Sequence, residues 1–112
     1  MNLDVMAFVG DSLVEAEIIK LTAKYNIQSA VETGTYRGFT AKGLAAIVPM
    51  VYTIELMSDA YRYATDTLSS TPNVQQYLGS SPHVLSDLIP KIKHPTLYFL
   101  DAHWHQIVTG KH

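Results

Sequence analysis

Apolar positions after Asp11-Ser12 recur at helical spacing: Val14, Ile18, Leu21 and Tyr25 form one stripe, predicting a helix that ends near Tyr25-Asn26. Its start reads as a capping box, with the Ser12 hydroxyl taking the N–H of Glu15 while the Glu15 side chain reaches back. Ser29 to Glu32 then reads as a short strand running into a glycine-bearing turn. A second helix is expected from about Thr40 through Ala41, Leu44, Ala45, Ile47 and Val48, stopped by Pro49. VYTIEL (51–56) is the next strand, and Ser58 is expected to cap a helix whose Ala60, Tyr61, Ala64 and Leu68 share a face. Turn residues at 69–73 lead to a strand over 74–78. Ser81-Pro82 opens a helix carrying Val84, Leu85, Leu88 and Ile89. TLYFL (96–100) is the fourth strand, while residues 1–10 show no clear period.

A helix, three strand–helix pairs and a final strand imply an α/β fold with a parallel sheet and right-handed crossovers. Uninterrupted apolar runs such as TLYFL suit strands covered on both faces. At 112 residues the chain is expected to form one domain over 1–112.

Composition removes several classes. With 8 Lys+Arg against 10 Asp+Glu the net charge is -2, and the nearest thing to a basic cluster is Lys91 and Lys93 beside His94. A phosphate-backbone binder needs several clustered cations, so nucleic acid is not expected as a partner. There are 0 cysteines, which excludes disulfides and thiolate metal sites. No run approaches the ~20 apolar residues of a membrane span, and the start of the chain lacks the basic region of a secretory leader. The expected location is the cytoplasm, with no membrane partner.

In open parallel sheets the chemistry gathers at the carboxyl ends of the strands. Four exits are therefore informative: Glu32-Thr33-Gly34, Glu55-Leu56, Gly79-Ser80 and Asp101-Ala102. At the first, a glycine lets the chain turn sharply and a ligand approach the backbone, and the following helix offers its N-terminal amides. A dinucleotide fingerprint needs G-x-G-x-x-G; here Gly34 and Gly38 stand four apart (38 minus 34), which argues against a nicotinamide enzyme. Taken alone, the two glycines could equally be a turn residue and a helix-packing residue. Glu55 lies 21 positions after Gly34 (55 minus 34), where a carboxylate can accept both hydroxyls of a ribose. By itself Glu55 could also be a solvated strand-end carboxylate. His103 and His105 alternate without a third ligand at motif spacing, which does not define a zinc site.

The run Glu32-Thr33-Gly34-Thr35 with Gly38, followed by Glu55 at the next strand end, resembles the class I S-adenosylmethionine-dependent methyltransferases. The fourth exit, Asp101-Ala102-His103-Trp104, is similar to the strand-four end of the catechol O-methyltransferase-like group and to macrocin-type sugar and antibiotic O-methyltransferases. In the catechol-like group the aspartate and the His-Trp pair are adjacent; here Ala102 intervenes. The resemblance implies a Rossmann-like sheet that binds S-adenosylmethionine. Glu32, Gly34, Thr35 and Gly38 would serve the methionine end and Glu55 the ribose. Ser80, His103 and Trp104 would lie near adenine. Asp101 would sit beside the transferred methyl, as catalytic residue and as ligand to Mg²⁺. The implied activity is O-methylation of a small-molecule acceptor.

The sequence stops at His112, and the resemblance covers only the front half of that family's domain, truncated after the fourth strand. A bare fourth-strand edge would then favour a homo-oligomer. The alternative expectation is accordingly a non-catalytic, cofactor-binding or self-assembling fragment.

Overall fold

The computed structural model describes residues 12–35 and 38–100. Its elements are α1 (Ser12–Tyr25), β1 (Ser29–Thr33), α2 (Phe39–Ala45), β2 (Met50–Glu55), α3 (Ser58–Thr67), β3 (Val74–Leu78), α4 (Ser81–Leu88) with a 3₁₀ turn (Ile89–Lys91), and β4 (Thr96–Leu100). The four strands form one parallel sheet in the order β3-β2-β1-β4. Both the expected strand–helix alternation and the α/β class are observed. Among the described residues no helix is long and apolar enough to cross a membrane.

Strand register divides the side chains between two faces, because partners in a parallel pair point the same way while neighbours along a strand alternate. Ala30 and Val51 share one face with Leu97 and Phe99, packing against Ile18 of α1, Ala41 and Leu44 of α2, and Ala64 and Leu68 at α3. Val31 and Ile54 lie on the other face with Tyr52 and Tyr77, covered by Val84, Leu85 and Leu88 of α4. Full burial of Leu44, Ile54, Val31 and Val51 contributes about 1.5–3 kcal/mol per side chain.

β1, whose sequence SAVET is mostly polar, is buried at every position because it lies between β2 and β4. In TLYFL, expected to be covered on both faces, none of residues 96–99 is fully buried, and Tyr98 is 42% exposed. β4 pairs with β1 alone among the described residues, so place in the sheet outweighs hydrophobicity. Ser29 at the start of β1 reaches across to His94, its Oγ hydrogen-bonded to the ring Nε2, and the Gln28 N–H donates to the Pro95 carbonyl.

Several local expectations need correction. α2 ends at Ala45 rather than running to Pro49. Its last carbonyls are drawn into tight bonds from Ala46, Ile47 and Val48, and the Asn73 amide binds the carbonyls of Ala45, Val48 and Pro49. Ser58 is the first helical residue of α3, not its cap; Met57 takes the cap position in extended geometry. α4 does open at Ser81-Pro82, with Ser80 in the cap position. Tyr25 and Ile89 are exposed rather than part of the apolar stripes, and the Lys24 ammonium lies 5.3 Å from the Tyr25 ring centroid. The side chains of the expected Ser12 cap and of Val14 lie outside the described residues.

Candidate functional site at the carboxyl rim of the sheet

All four strands point their carboxyl ends to one rim. Glu32 pairs in register with Thr53, and Glu55 follows two positions later on the same strand. Glu32, Thr53 and Glu55 therefore project from one face at neighbouring exits. Both carboxylates are buried, Glu32 to 2% exposure and Glu55 to 5%. A buried carboxylate requires hydrogen-bond donors. Thr53 Oγ1 donates to Glu32 Oε1 at 2.6 Å, and the Met57 N–H donates to Glu55 Oε2 at 2.9 Å. The second bond turns the chain after β2 back over its own strand end and so sets the start of α3.

The loop leaving β1 hangs from β2. The Ile54 carbonyl accepts the Gly34 N–H at 2.8 Å and the Thr35 N–H at 3.2 Å, while the Thr35 carbonyl accepts the Gly38 N–H at 2.9 Å. Gly34 adopts φ +80°, the left-handed conformation that glycine enters at little cost. Thr35 is buried, its Oγ1 2.7 Å from Thr53 Oγ1. Gly38 caps α2 at φ +90°, and a Cβ there would lie 3.2 Å from Leu68 Cγ and 3.3 Å from Ala64 Cβ. Its visible task is close packing of the loop against α3, the helix-packing alternative left open by the sequence.

The third exit adjoins the second: the Gly79 N–H donates to the Glu55 carbonyl at 2.8 Å. Ser80 is exposed there, and its side chain makes no capping bond. Leu56 and Met57 follow Glu55 in the chain and Leu78 pairs with it in register, and the three form an apolar lip at these exits, 59%, 62% and 51% exposed. Thr53 and this lip were not singled out from the sequence. Alternation along VYTIEL puts Thr53 on the Glu55 face, and three large apolar residues at strand exits are the other available signal.

The structure thus brings Glu32, Gly34, Thr35, Glu55 and Ser80 to one rim, with Gly38 beneath it. Asp101, His103 and Trp104 lie outside the described residues. Among the described residues no three His, Asp or Glu side chains gather as a metal ion would require.

A parallel sheet in this order, with helices on both faces and a glycine turn after its first strand, is a Rossmann-like fold, and solved structures with which it superposes are methyltransferases. The O-methyltransferase TomG from Streptomyces achromogenes, involved in tomaymycin synthesis and solved with SAM, superposes with a TM-score of 0.66 at 22% identity, over 78% of this chain and 42% of that one. An O-methyltransferase from Bacillus cereus solved with SAH gives 0.62 at 19% identity, over 78% and 43%. Precorrin-6y C5,15-methyltransferase from Geobacter metallireducens gives 0.60 at 15% identity, over 78% and 46%. The chain therefore spans less than half the length of these structures. No protein-family model and no curated protein sequence matches it.

Proposed function

We propose that this rim binds S-adenosylmethionine and that the chain is the cofactor-binding part of a small-molecule O-methyltransferase. The observation that carries the reading is the pair of buried carboxylates, Glu32 and Glu55, on one face at neighbouring exits, with Gly34 and Thr35 held beside them by the Ile54 carbonyl. The cofactor is a nucleoside joined to a cationic amino-acid tail, and each part has a counterpart here. Glu55 accepts hydrogen bonds from the ribose, as a carboxylate accepts paired donors. The loop carries the amino-acid end, with the Glu32 charge beneath it complementing the ammonium and sulfonium. Leu56, Met57 and Leu78 offer apolar surface to the adenine ring, and Ser80 offers a hydroxyl. The structures bound to SAM and SAH support this reading.

When bound, the cofactor supplies an already activated methyl group, so the protein's work is alignment and exclusion of water. By resemblance, His103 and Trp104 flank adenine and Asp101 stands beside the methyl. The Asp101 carboxylate is an oxygen donor of the kind Mg²⁺ prefers. The acceptor is an oxygen nucleophile on a small molecule, again by resemblance; the fold alone hosts other acceptors.

Calorimetric titration with S-adenosylhomocysteine tests the reading. The chain should bind it, and Glu55→Gln should weaken binding about tenfold to a hundredfold, since a hydrogen bond to a charged group is worth about 1.5–3 kcal/mol. A folded protein that takes up no S-adenosylhomocysteine would sink the proposal.

A further inference from the structure

We infer that Thr53 is a positioning residue for the amino-acid end of the cofactor, coupling the Glu32 carboxylate to the loop through a hydroxyl chain of fixed direction. The inference rests on the reading above. A threonine hydroxyl has one proton to give and two lone pairs. Thr53 spends its proton on Glu32 Oε1 at 2.6 Å, in the short range of a bond to an ionised carboxylate. The Thr35 hydroxyl, 2.7 Å away, must then donate to Thr53. With Glu32 ionised, the chain runs from Thr35 through Thr53 to Glu32, and all three side chains are buried.

The same short stretch of β2 holds the loop by its backbone, because the Ile54 carbonyl accepts from both Gly34 and Thr35. Side chain 53 and carbonyl 54 together fix where the loop leaves β1 and where the Glu32 charge sits beneath it. Removing the Thr53 hydroxyl strips one donor from Glu32 and one acceptor from Thr35 in a site shielded from water. The carboxylate and the loop then lose their common reference.

A packing role for Thr53 makes the opposite prediction. Valine has nearly the same shape and an equal preference for strands, so packing alone would leave ligand binding untouched by Thr53→Val. Coupling predicts that Thr53→Val loses about tenfold in affinity for S-adenosylhomocysteine, which is about 1.4 kcal/mol. 5′-Methylthioadenosine, which has the nucleoside and sulfur but no amino-acid tail, should change less than about twofold on the same scale. Thr53→Ser, which keeps the hydroxyl, should stay within about threefold of the parent for both ligands.

Equal losses for both nucleosides, or none for either, overturn the coupling while leaving the cofactor reading intact. Failure of the parent chain to bind S-adenosylhomocysteine overturns both. Should circular dichroism show Thr53→Val unfolded, Thr35→Val cuts the same chain one hydroxyl further from Glu32. Unchanged discrimination between the two nucleosides in that variant overturns the inference.

Discussion

Replacing Gly38 with alanine tests how the loop is seated. The residue sits at φ +90° as the cap of α2, a conformation that costs a residue with a Cβ about 1–2 kcal/mol. The added methyl would also stand 3.2 Å from Leu68 Cγ and 3.3 Å from Ala64 Cβ. Leu68 is buried, and the Ala64 methyl is fixed to the backbone of α3, so neither can swing away as a long side chain would. Overpacking of this kind costs about 1–3 kcal/mol. The two effects together place the loss at about 2–5 kcal/mol, a large part of the roughly 5–15 kcal/mol that holds a typical domain together. Guanidinium unfolding followed by far-ultraviolet circular dichroism should show a lower midpoint with an unchanged slope. Ala64→Gly costs about 1 kcal/mol by itself through helix propensity. Combined with Gly38→Ala it should recover about 1 kcal/mol or more in a double-mutant cycle, because it removes one of the two contacts. A loss below about 1 kcal/mol for Gly38→Ala, or a cycle with no coupling, would refute the close-approach argument.

Two further predictions concern the frame around the rim. Asn73→Ala removes the amide that serves the carbonyls of Ala45, Val48 and Pro49, and should lower stability by about 1–2 kcal/mol, water replacing part of the loss; an unfolding midpoint equal to that of the parent would contradict this. Burial first, and then the neighbouring Tyr52, raise the Tyr77 hydroxyl above its ordinary 10.0. The native state therefore holds this proton to higher pH than the unfolded chain, so stability falls as pH rises past the unfolded value. Tyr77→Phe should show a shallower alkaline decline in unfolding free energy, and equal slopes would contradict the shift.

Much of the fold was legible because strand and helix periods differ, and alternating strands with helices leave few topologies open. TLYFL and SAVET show where that reading fails. Hydrophobicity ranked TLYFL as the doubly covered strand, yet SAVET is the wholly buried one. Burial in a sheet depends on which strands lie alongside, and strand order is not written in either pentapeptide. Helix ends misread for a related reason. Pro49 bars a helix beyond it, but α2 stops earlier, and Asn73, distant in sequence, supplies donors to the carbonyls at and beyond its end.

The candidate site divides in the same manner. Residue types and spacing along the chain were enough to pick out Glu32, Gly34 and Glu55, since a turn glycine and strand-end carboxylates are local features. Tertiary structure alone put the two carboxylates on one face, made Gly38 a packing contact for α3, and revealed Thr53 as a donor to Glu32. Local chemistry is carried by neighbouring residues, which a sequence orders. Partnership between β1 and β2 depends on register across about twenty intervening positions, and register is settled only when the two faces of the sheet are buried together.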